Sequence, residues 1–455
     1  METQKRKYTL AEKLKAIGPG AMVTASFIGP GTVTTATRAG AEFGYALLWT
    51  VIFSIIATII LQEMSARIGI ITKGGLGEAI LEEFKDRPFL QKFSAYFVGG
   101  SIAFGCAAYI SGDLTGTSLG IATLINVPLR IIVPVIGIIV LTLILKGNIK
   151  LLEKILTVLV AIMAIVFVTT MFVSKPNWGE VFSGAAPTIP AKSIILIISM
   201  IGTTIVPYNF FIHTGTAAEN WDSPDQLILS KWDTIVSISI GGLITAAIVV
   251  TSGTLMRGHV IQSAADLSIQ LEPLLGSWAK IFMSIGLFSA GLSSAIASPL
   301  GASYTLAGLL GWEYDNSDKR FKYTNLIIAI IGIVVGSIGF NPMQILLIAQ
   351  ALNGLILPIA AIYVVIIASS VKQLKEYRNG KVLILLGSLV CLITIFLGGY
   401  SVVSALKGLV WYKKKILLKI FQQDLFYCKE LNIWEIKKSG EPDLVIFNAN
   451  NIFIC

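Results

Sequence analysis

The 455-residue chain carries 35 Lys and Arg against 26 Asp and Glu, a net charge of +9, yet only 13% of its residues are charged and 55% are hydrophobic. Soluble domains average about 25% charged, so a chain with this composition and a mean hydropathy of +0.79 is predicted to be a multi-pass membrane protein. The lysines and arginines sit in short loops beside apolar runs, which is the placement that orients spans in a bilayer and not a signature of nucleic-acid binding.

Residues 1–17 read as a polar cytoplasmic segment. The apolar run that begins near Gly18 has no small-residue cleavage pattern and is followed by many more, so it is not read as a signal peptide. A helical span needs about 20 apolar residues. Eleven are predicted, at about 18–38, 45–66, 93–125, 131–146, 150–173, 193–216, 230–256, 278–310, 321–339, 341–369 and 382–403. The fourth is short and the third and eighth are long, so tilt or extra-membrane turns are expected there. With the N-terminus inside, the inside segments hold twenty-one Lys and Arg and the outside segments six, in the positive-inside sense. The tail, 404–455, breaks this pattern. It carries Lys407, Lys413, Lys414, Lys415 and Lys419 on what would be the outer side, which leaves open a twelfth, re-entrant or surface-lying segment or a divergent appendage. Cys106 and Cys391 fall in spans, Cys428 and Cys455 in the tail, and no CxxC or Cys/His cluster suggests zinc or a disulfide. Only two histidines occur, and no Walker loop, HExxH or nucleophile elbow is present, so no enzyme and no bound cofactor are expected.

Two spans are interrupted. The first contains "ASFIGPGTVTTATRAG", with Gly29, Pro30, Gly31 and Thr32 where a helix should run unbroken. The sixth reads "IILIISMIGTTIVPYNFFIHTG", with Gly202, Thr203, Thr204 and Pro207 near its middle. Proline removes a backbone donor and glycine loosens the helix; in a bilayer, freed backbone groups are tolerated only where protein or a water-filled cavity receives them. A lone Gly/Pro in a membrane helix reads as a kink. Here five spans separate the two breaks, an odd number, so the halves, about 18–173 and 193–369, would run with opposite topology, with 382–403 as an extra helix. Paired breaks in inverted halves point to a transport site, with half-helix ends offering carbonyls to cations and amides to anions.

The order "GPGTVTTATRAGAEFGYALLW", "LQEMSARIGIITKGGLGEAI", "KLLEKIL", "IGTTIVPYNFFIHTG" and "LEPLLGSWAKIFMSIGLFSAGLSS" resembles the natural resistance-associated macrophage protein (Nramp) family from about Gly18 to about residue 403. The resemblance implies an all-α integral membrane protein with a leucine-transporter-type 5+5 inverted repeat and proton-coupled transport of divalent metal. It also marks departures. The family's first break reads Asp-Pro-Gly-Asn, with Asp and Asn as metal ligands; this chain has Gly29 and Thr32, and Ala36 where a further family Asp stands. In the sixth span the family's Ala carbonyl ligand maps to Thr203, its Met thioether to Val206 and its first His to Tyr208, whereas the second His is kept as His213. The family-equivalent metal positions are therefore Gly29, Thr32, Thr203 and Val206, mostly without ligand side chains. Hydroxyls and carbonyls suit a hydrated hard cation or a polar organic solute better than a soft transition metal.

Charges inside spans are functional hypotheses by default. Asp113, in "YISGDLTG", matches the family's third-span Asp, which helps carry protons, but the family's accompanying Glu is Gly116 here. His213 is a second proton-pathway candidate and Glu63 a third, although Arg67 at i,i+4 makes an ion pair the favoured reading of Glu63. Asp233 is read as complementing the dipole of its own helix start. Gln350 matches a polar family position facing the site, and Asn353, three residues on, shares its helix face. Three readings remain: a proton-coupled metal-cation transporter in the cell membrane, an importer of a small organic solute such as an amino or carboxylic acid, and a non-transporting sensor or scaffold. The expected partners are membrane lipid and the transported ion or solute.

Overall fold

The computed structural model describes residues 8–125, 127–146, 150–400 and 403, with two tail strands, 445–448 and 451–454; side chains are described for these except at 14, 150–157 and the tail strands. The chain divides into two units, Met1–Ser401 and Val402–Cys455.

The first unit is helical. In chain order the long or interrupted helices are α1 (Pro19–Phe27), α2 (Pro30–Phe43), α3 (Leu48–Thr72), α4 (Pro88–Leu124), α5 (Leu129–Lys146), α6 (Lys150–Val173), α7 (Ile194–Thr204), α8 (Asn209–Asn220), α9 (Leu227–Leu255), α10 (Ala279–Leu310), α11 (Lys319–Ser337), α12 (Pro342–Ala368) and α13 (Lys381–Tyr400). Among the described residues nine segments are long and apolar enough to cross a membrane. Two further spans expected from sequence are not in that count. The first is cut into helices of 9 and 14 residues, and the described apolar part of the fifth is Val158–Val173.

The boundaries correct the sequence in several places. The first span continues to Phe43, because Gly44, at φ 59°, is where the helix can end in a left-handed turn. The third begins at Pro88, so α4 has 37 residues, about 55 Å at 1.5 Å per residue, well beyond the roughly 30 Å of hydrocarbon. The connections expected as loops carry short helices, Leu76–Glu83 and Trp178–Ser183; Asn177 caps the second, accepting from the Gly179 and Glu180 amides.

α4 and α10 lie along one another; α12 and α11 flank α4; α2 packs on α9, α8 on α3 and α7 on α12. Glycines permit several of these approaches. A β-carbon on Gly120 of α4 would come within 2.6 Å of the Ser284 carbonyl of α10, and one on Gly69 of α3 within 2.0 Å of the Thr214 carbonyl of α8.

The all-α expectation holds for the first unit; the tail departs from it. Val445–Asn448 and Asn451–Ile454 pair antiparallel, with Val445 opposite Ile454 and Asn448 opposite Asn451. Both segments are rich in β-branched and aromatic residues and are separated by two residues, the pattern of a tight hairpin. The re-entrant or amphipathic segment considered for 404–444 lies outside the described residues.

Candidate functional site

Both interruptions open where expected, by different means. α1 makes its last turn when the Ile28 amide donates to Thr24 O at 3.2 Å; Gly29 is then extended (φ −116°, ψ −178°) and Pro30 starts α2 as its first residue. A proline there is preset for a helix start and gives up an amide that would lack a partner. α7 ends on the Ile205 amide donating to Ile201 O, and Val206 and Pro207 carry the chain to α8, whose first turn begins with Asn209.

The breaks meet. Thr32 Oγ1 lies 2.7 Å from Thr203 Oγ1. Thr32 also donates to Phe27 O, the end of α1, so its hydroxyl accepts the Thr203 proton. One hydroxyl pair thus ties the start of α2, the end of α1 and the end of α7 together, with both threonines fully buried. α12 closes a second side. A β-carbon on Gly31 would fall 1.9 Å from Gln350 Nε2, and one on Gly202 2.1 Å from Gln350 O. Gln350 therefore lies against both breaks, and its buried Oε1 and Nε2 have no partner. Asn353 diverges from it. Its Oδ1 faces Gly105 of α4, 3.0 Å from where a β-carbon would stand, so the helix face shared in sequence splits between two neighbours.

Pro30 fills a notch made by glycines on two helices. A β-carbon on Gly116 of α4 would lie 2.1 Å from Pro30 Cβ, and one on Gly291 of α10 2.8 Å from Pro30 Cγ. Asp113, one helical turn before Gly116, is fully buried. Its Oδ2 accepts from Ser298 Oγ at 3.1 Å, and its Oδ1 has no partner. A β-carbon on Gly29 would lie 2.9 Å from Ser294 Oγ and 3.5 Å from Asp113 Oδ1. Ser294 Oγ donates to Ser26 O at 3.1 Å, and Ser26 Oγ sits 2.9 Å from Asn209 Oδ1. Ser26, Asn209, Ser294 and Ser298 were missed in the sequence. The signal was present in the i,i+4 serines of "SSAIAS" and in a polar residue directly following the second break.

The remaining expected residues separate. Val206 and Thr204 are buried, the Thr204 hydroxyl donating to Met200 O at 3.2 Å. The Tyr208 ring packs over Gly301 of α10 and stands edge-on to Tyr109 of α4, centroids 5.8 Å apart. His213 is fully buried one turn into α8, with Nδ1 2.9 Å from Gln62 Oε1 and Nε2 without a partner; with the amide oxygen accepting, Nδ1 carries the proton. Glu63 is away from the breaks, paired with Arg67 at 3.0 Å, and Arg67 also donates to Tyr377 O and Asn379 Oδ1, each at 2.6 Å. The reading of Asp233 is corrected. It lies two turns inside α9, and its carboxylate accepts from the Gly20 amide at 2.7 Å and the Gly18 amide at 3.1 Å. It complements a helix dipole, but that of α1, because α9 starts at Leu227, six residues before Asp233.

A cavity of about 600 Å³ reaches Ser26 and Asn209 from a mouth formed by Tyr304, Tyr314, Asp315 and Asn316. At that mouth burial, and then the neighbouring Glu78 carboxylate, push the Tyr314 phenol above its ordinary range, so it stays protonated. Among the described residues no group of three or more His, Cys, Asp or Glu side chains gathers in a way that would hold a metal.

Helices interrupted in pairs around a shared polar junction define a multi-pass helical membrane transporter. The model of the natural resistance-associated macrophage protein-like family matches residues 20–404, and the chain belongs to that family of transporters, which are not enzymes. Among curated relatives, the divalent metal cation transporter MntH of Caldanaerobacter subterraneus subsp. tengcongensis is 26% identical over 411 residues, covering 88% of this chain and 95% of that protein. Among solved structures, a mutant of the Eremococcus coleocola manganese transporter aligns with a TM-score of 0.74 at 20% identity, over 93% of this chain and 94% of the other. A second neighbour, the nucleobase-cation-symport-1 family transporter Mhp1 in a closed conformation, aligns at 0.53 and 13% identity, over 85% and 92%. The two structures share the fold with this chain.

Proposed function

We propose that the protein is a secondary transporter that moves a divalent metal cation across the cell membrane, in symport with protons, from a site at the junction of α1, α2, α7 and α8. The observation that carries this reading is the Thr32–Thr203 contact at 2.7 Å, which joins the two interruptions into one nest inside a family of metal transporters. The substrate-contacting set is Gly29, Pro30, Gly31, Thr32, Thr203, Thr204, Val206 and Tyr208, with Gln350 and Asn353 from α12. The positions equivalent to the family's metal ligands, Gly29, Thr32, Thr203 and Val206, offer hydroxyls and main-chain carbonyls in place of a carboxylate and a thioether. That substitution favours a hard cation that keeps part of its water shell, harder than manganese, such as magnesium, or a relaxed selectivity among divalent ions. Asp113 and His213 are the proton-handling candidates; Glu63, held by Arg67, serves the structure at the end of α3. The N-terminus lies in the cytoplasm, as the basic-residue bias requires, so the cavity mouth at Tyr304 and Asn316, beside the loop with Lys319, Arg320 and Lys322, faces the cytoplasm. Residues 18–403 form the transport domain, and 404–455 are an appendage outside it.

The test is uptake into proteoliposomes of the full chain, with manganese and magnesium offered alongside labelled amino and organic acids while internal pH is followed. Metal uptake with internal acidification is the expected result. Uptake of an organic solute without metal would assign the nest to the second substrate class, and no flux of any kind would leave a sensor or scaffold.

A further inference from the structure

We propose that Asp113 is a direct ligand of the transported cation, supplying from α4 the negative charge that the interrupted helices themselves lack. The proposal rests on the reading of the protein as a divalent-cation transporter and names the residue that makes such a cation tolerable in this nest.

Three observations place the carboxylate there. Asp113 is fully buried, and among the described residues no Lys or Arg pairs with it. Its Oδ1 has no partner and lies 3.5 Å from the point a β-carbon of Gly29 would occupy, an ordinary contact distance, so it borders the first break directly. The two neighbouring serine hydroxyls, Ser294 and Ser298, do not supply Oδ1 with a proton. Ser294 donates to Ser26 O at 3.1 Å, and the one proton of Ser298 is shared between Asp113 Oδ2 and Ser294 O. What Ser294 turns toward Gly29 is therefore oxygen lone pairs, 2.9 Å from the same β-carbon position.

The chemistry follows from that inventory. A buried carboxylate with a vacant oxygen requires either a proton or a cation. Beside it stands a hydroxyl lone pair of Ser294, and the break that Asp113 borders at Gly29 also carries Thr32, which is paired with Thr203. An anionic oxygen with neutral oxygens around it is the donor set of a hard divalent cation, with water completing the shell. A small neutral solute would leave the Asp113 charge unmatched. Asp233, the other fully buried carboxylate among the described residues, accepts from the amides at the start of α1 and from Ser237 and is not available to the nest.

A role as proton carrier alone and a role as ligand differ in equilibrium binding, which needs no turnover. Purified full-length protein at fixed pH is titrated with Mn²⁺ and with Mg²⁺, comparing the parent, Asp113→Asn, Gly29→Asp, and the double variant. Asn preserves the shape and the hydrogen bond from Ser298 but removes the charge; binding is expected to weaken more than about tenfold for both ions. Gly29→Asp with Asp113→Asn returns one carboxylate to the same space from the other side, and is expected to regain most of the loss. Gly29→Asp alone places two carboxylates together and is expected to raise the dependence of binding on pH. Elution volume and helicity establish that each variant is folded. If the double variant does not fold, Asp113→Glu takes its place and is expected to keep binding that Asp113→Asn loses. Asp113→Asn binding within threefold of the parent overturns the proposal while leaving cation transport standing. So does a folded double variant, or a folded Asp113→Glu, that binds no better than Asp113→Asn. A parent that binds and transports neither ion overturns the transport reading itself, and this proposal with it.

Discussion

Removing the Asp233 carboxylate should release the first half-helix. α1 has nine residues, too short to persist without tertiary support, and its N-terminal amides at Gly18 and Gly20 donate to Asp233 at 3.1 and 2.7 Å. Hydrogen bonds to a charged acceptor contribute about 1.5–3 kcal/mol each. The Gly20 amide is buried, while Gly18 is half-exposed and water can replace its partner. Asp233→Ala should therefore weaken the docking of α1 by about 2–3 kcal/mol, a rise of about 30- to 150-fold in the undocked population. Asp233→Asn keeps one acceptor and should cost about 1 kcal/mol, roughly fivefold. The readout is maleimide labelling of Thr24→Cys in a background with Cys106, Cys391, Cys428 and Cys455 replaced by serine. Thr24 is buried, its methyl packs toward Gly241 of α9, and its hydroxyl has no partner, so the reporter disturbs little. When closing outpaces labelling, the rate follows the open population. Equal labelling of the Asp233→Ala and parent proteins would refute the view that this carboxylate holds α1 in place.

Thr32→Ala, Thr203→Ala and the double variant should show a coupling of about 1 kcal/mol in thermal stability, because the 2.7 Å hydroxyl pair is one shared interaction; additive losses would mean the breaks are held together by packing alone. Arg67→Ala should destabilise by about 3 kcal/mol, since it strips a pair whose arginine is 8% exposed, whereas Arg257→Ala, at 55% exposed, should cost less than about 1 kcal/mol; melting of both in detergent decides. Gly116→Ala should destabilise by about 1–3 kcal/mol and weaken cation binding, because its methyl meets Pro30, while Gly100→Ala on the same helix, with open space, should be neutral or mildly stabilising in the same melt and titration.

Much of the architecture was legible because hydropathy and backbone chemistry act locally. Both interruptions could be read from a Pro close to Gly or Thr in an apolar run, yet proline alone was not the signal. Pro134, Pro299 and Pro358 all lie inside continuous helices. Hydroxyls and glycines around the proline do not separate them either, since Pro299 stands among Ser294, Ser298, Gly301 and Ser303 in an unbroken helix; the signal was the pairing of two such stretches five spans apart. The ion pair of Glu63 with Arg67 was legible because the two residues are one turn apart. The parts that could not be read are contacts across long stretches of chain. Asp233 serves amides more than two hundred residues away, and Ser294 and Asp113 reach Gly29 from two different helices. Composition and spacing carry no record of which helix face meets which. The parting of Asn353 from Gln350 shows the limit even within one helix, because the angle between positions i and i+3 is enough to give each a different neighbour.

The glycine at position 116 and the aspartate at 113 have one physical explanation. Both positions lie on the face of α4 that meets the first break. At 116 even a β-carbon would overlap Pro30, so any side chain there would push the break outward and part Thr32 from Thr203. At 113, one turn back along the helix, the side chain lies beside Gly29, its Oδ1 at ordinary contact distance from where a β-carbon would stand. The proline at 30 and the glycine at 116 are thus complementary, whereas position 29 is crowded only by Ser294 Oγ. Filling position 29 requires Ser294 Oγ to move, and filling 116 requires Pro30 to move. A serine hydroxyl can swing away on one bond, whereas a proline ring is fixed to the backbone that forms the nest. The break therefore accepts a change of charge at 29 far more readily than a change of volume at 116, and the seat of Pro30 is the feature that the rest of the nest is built around.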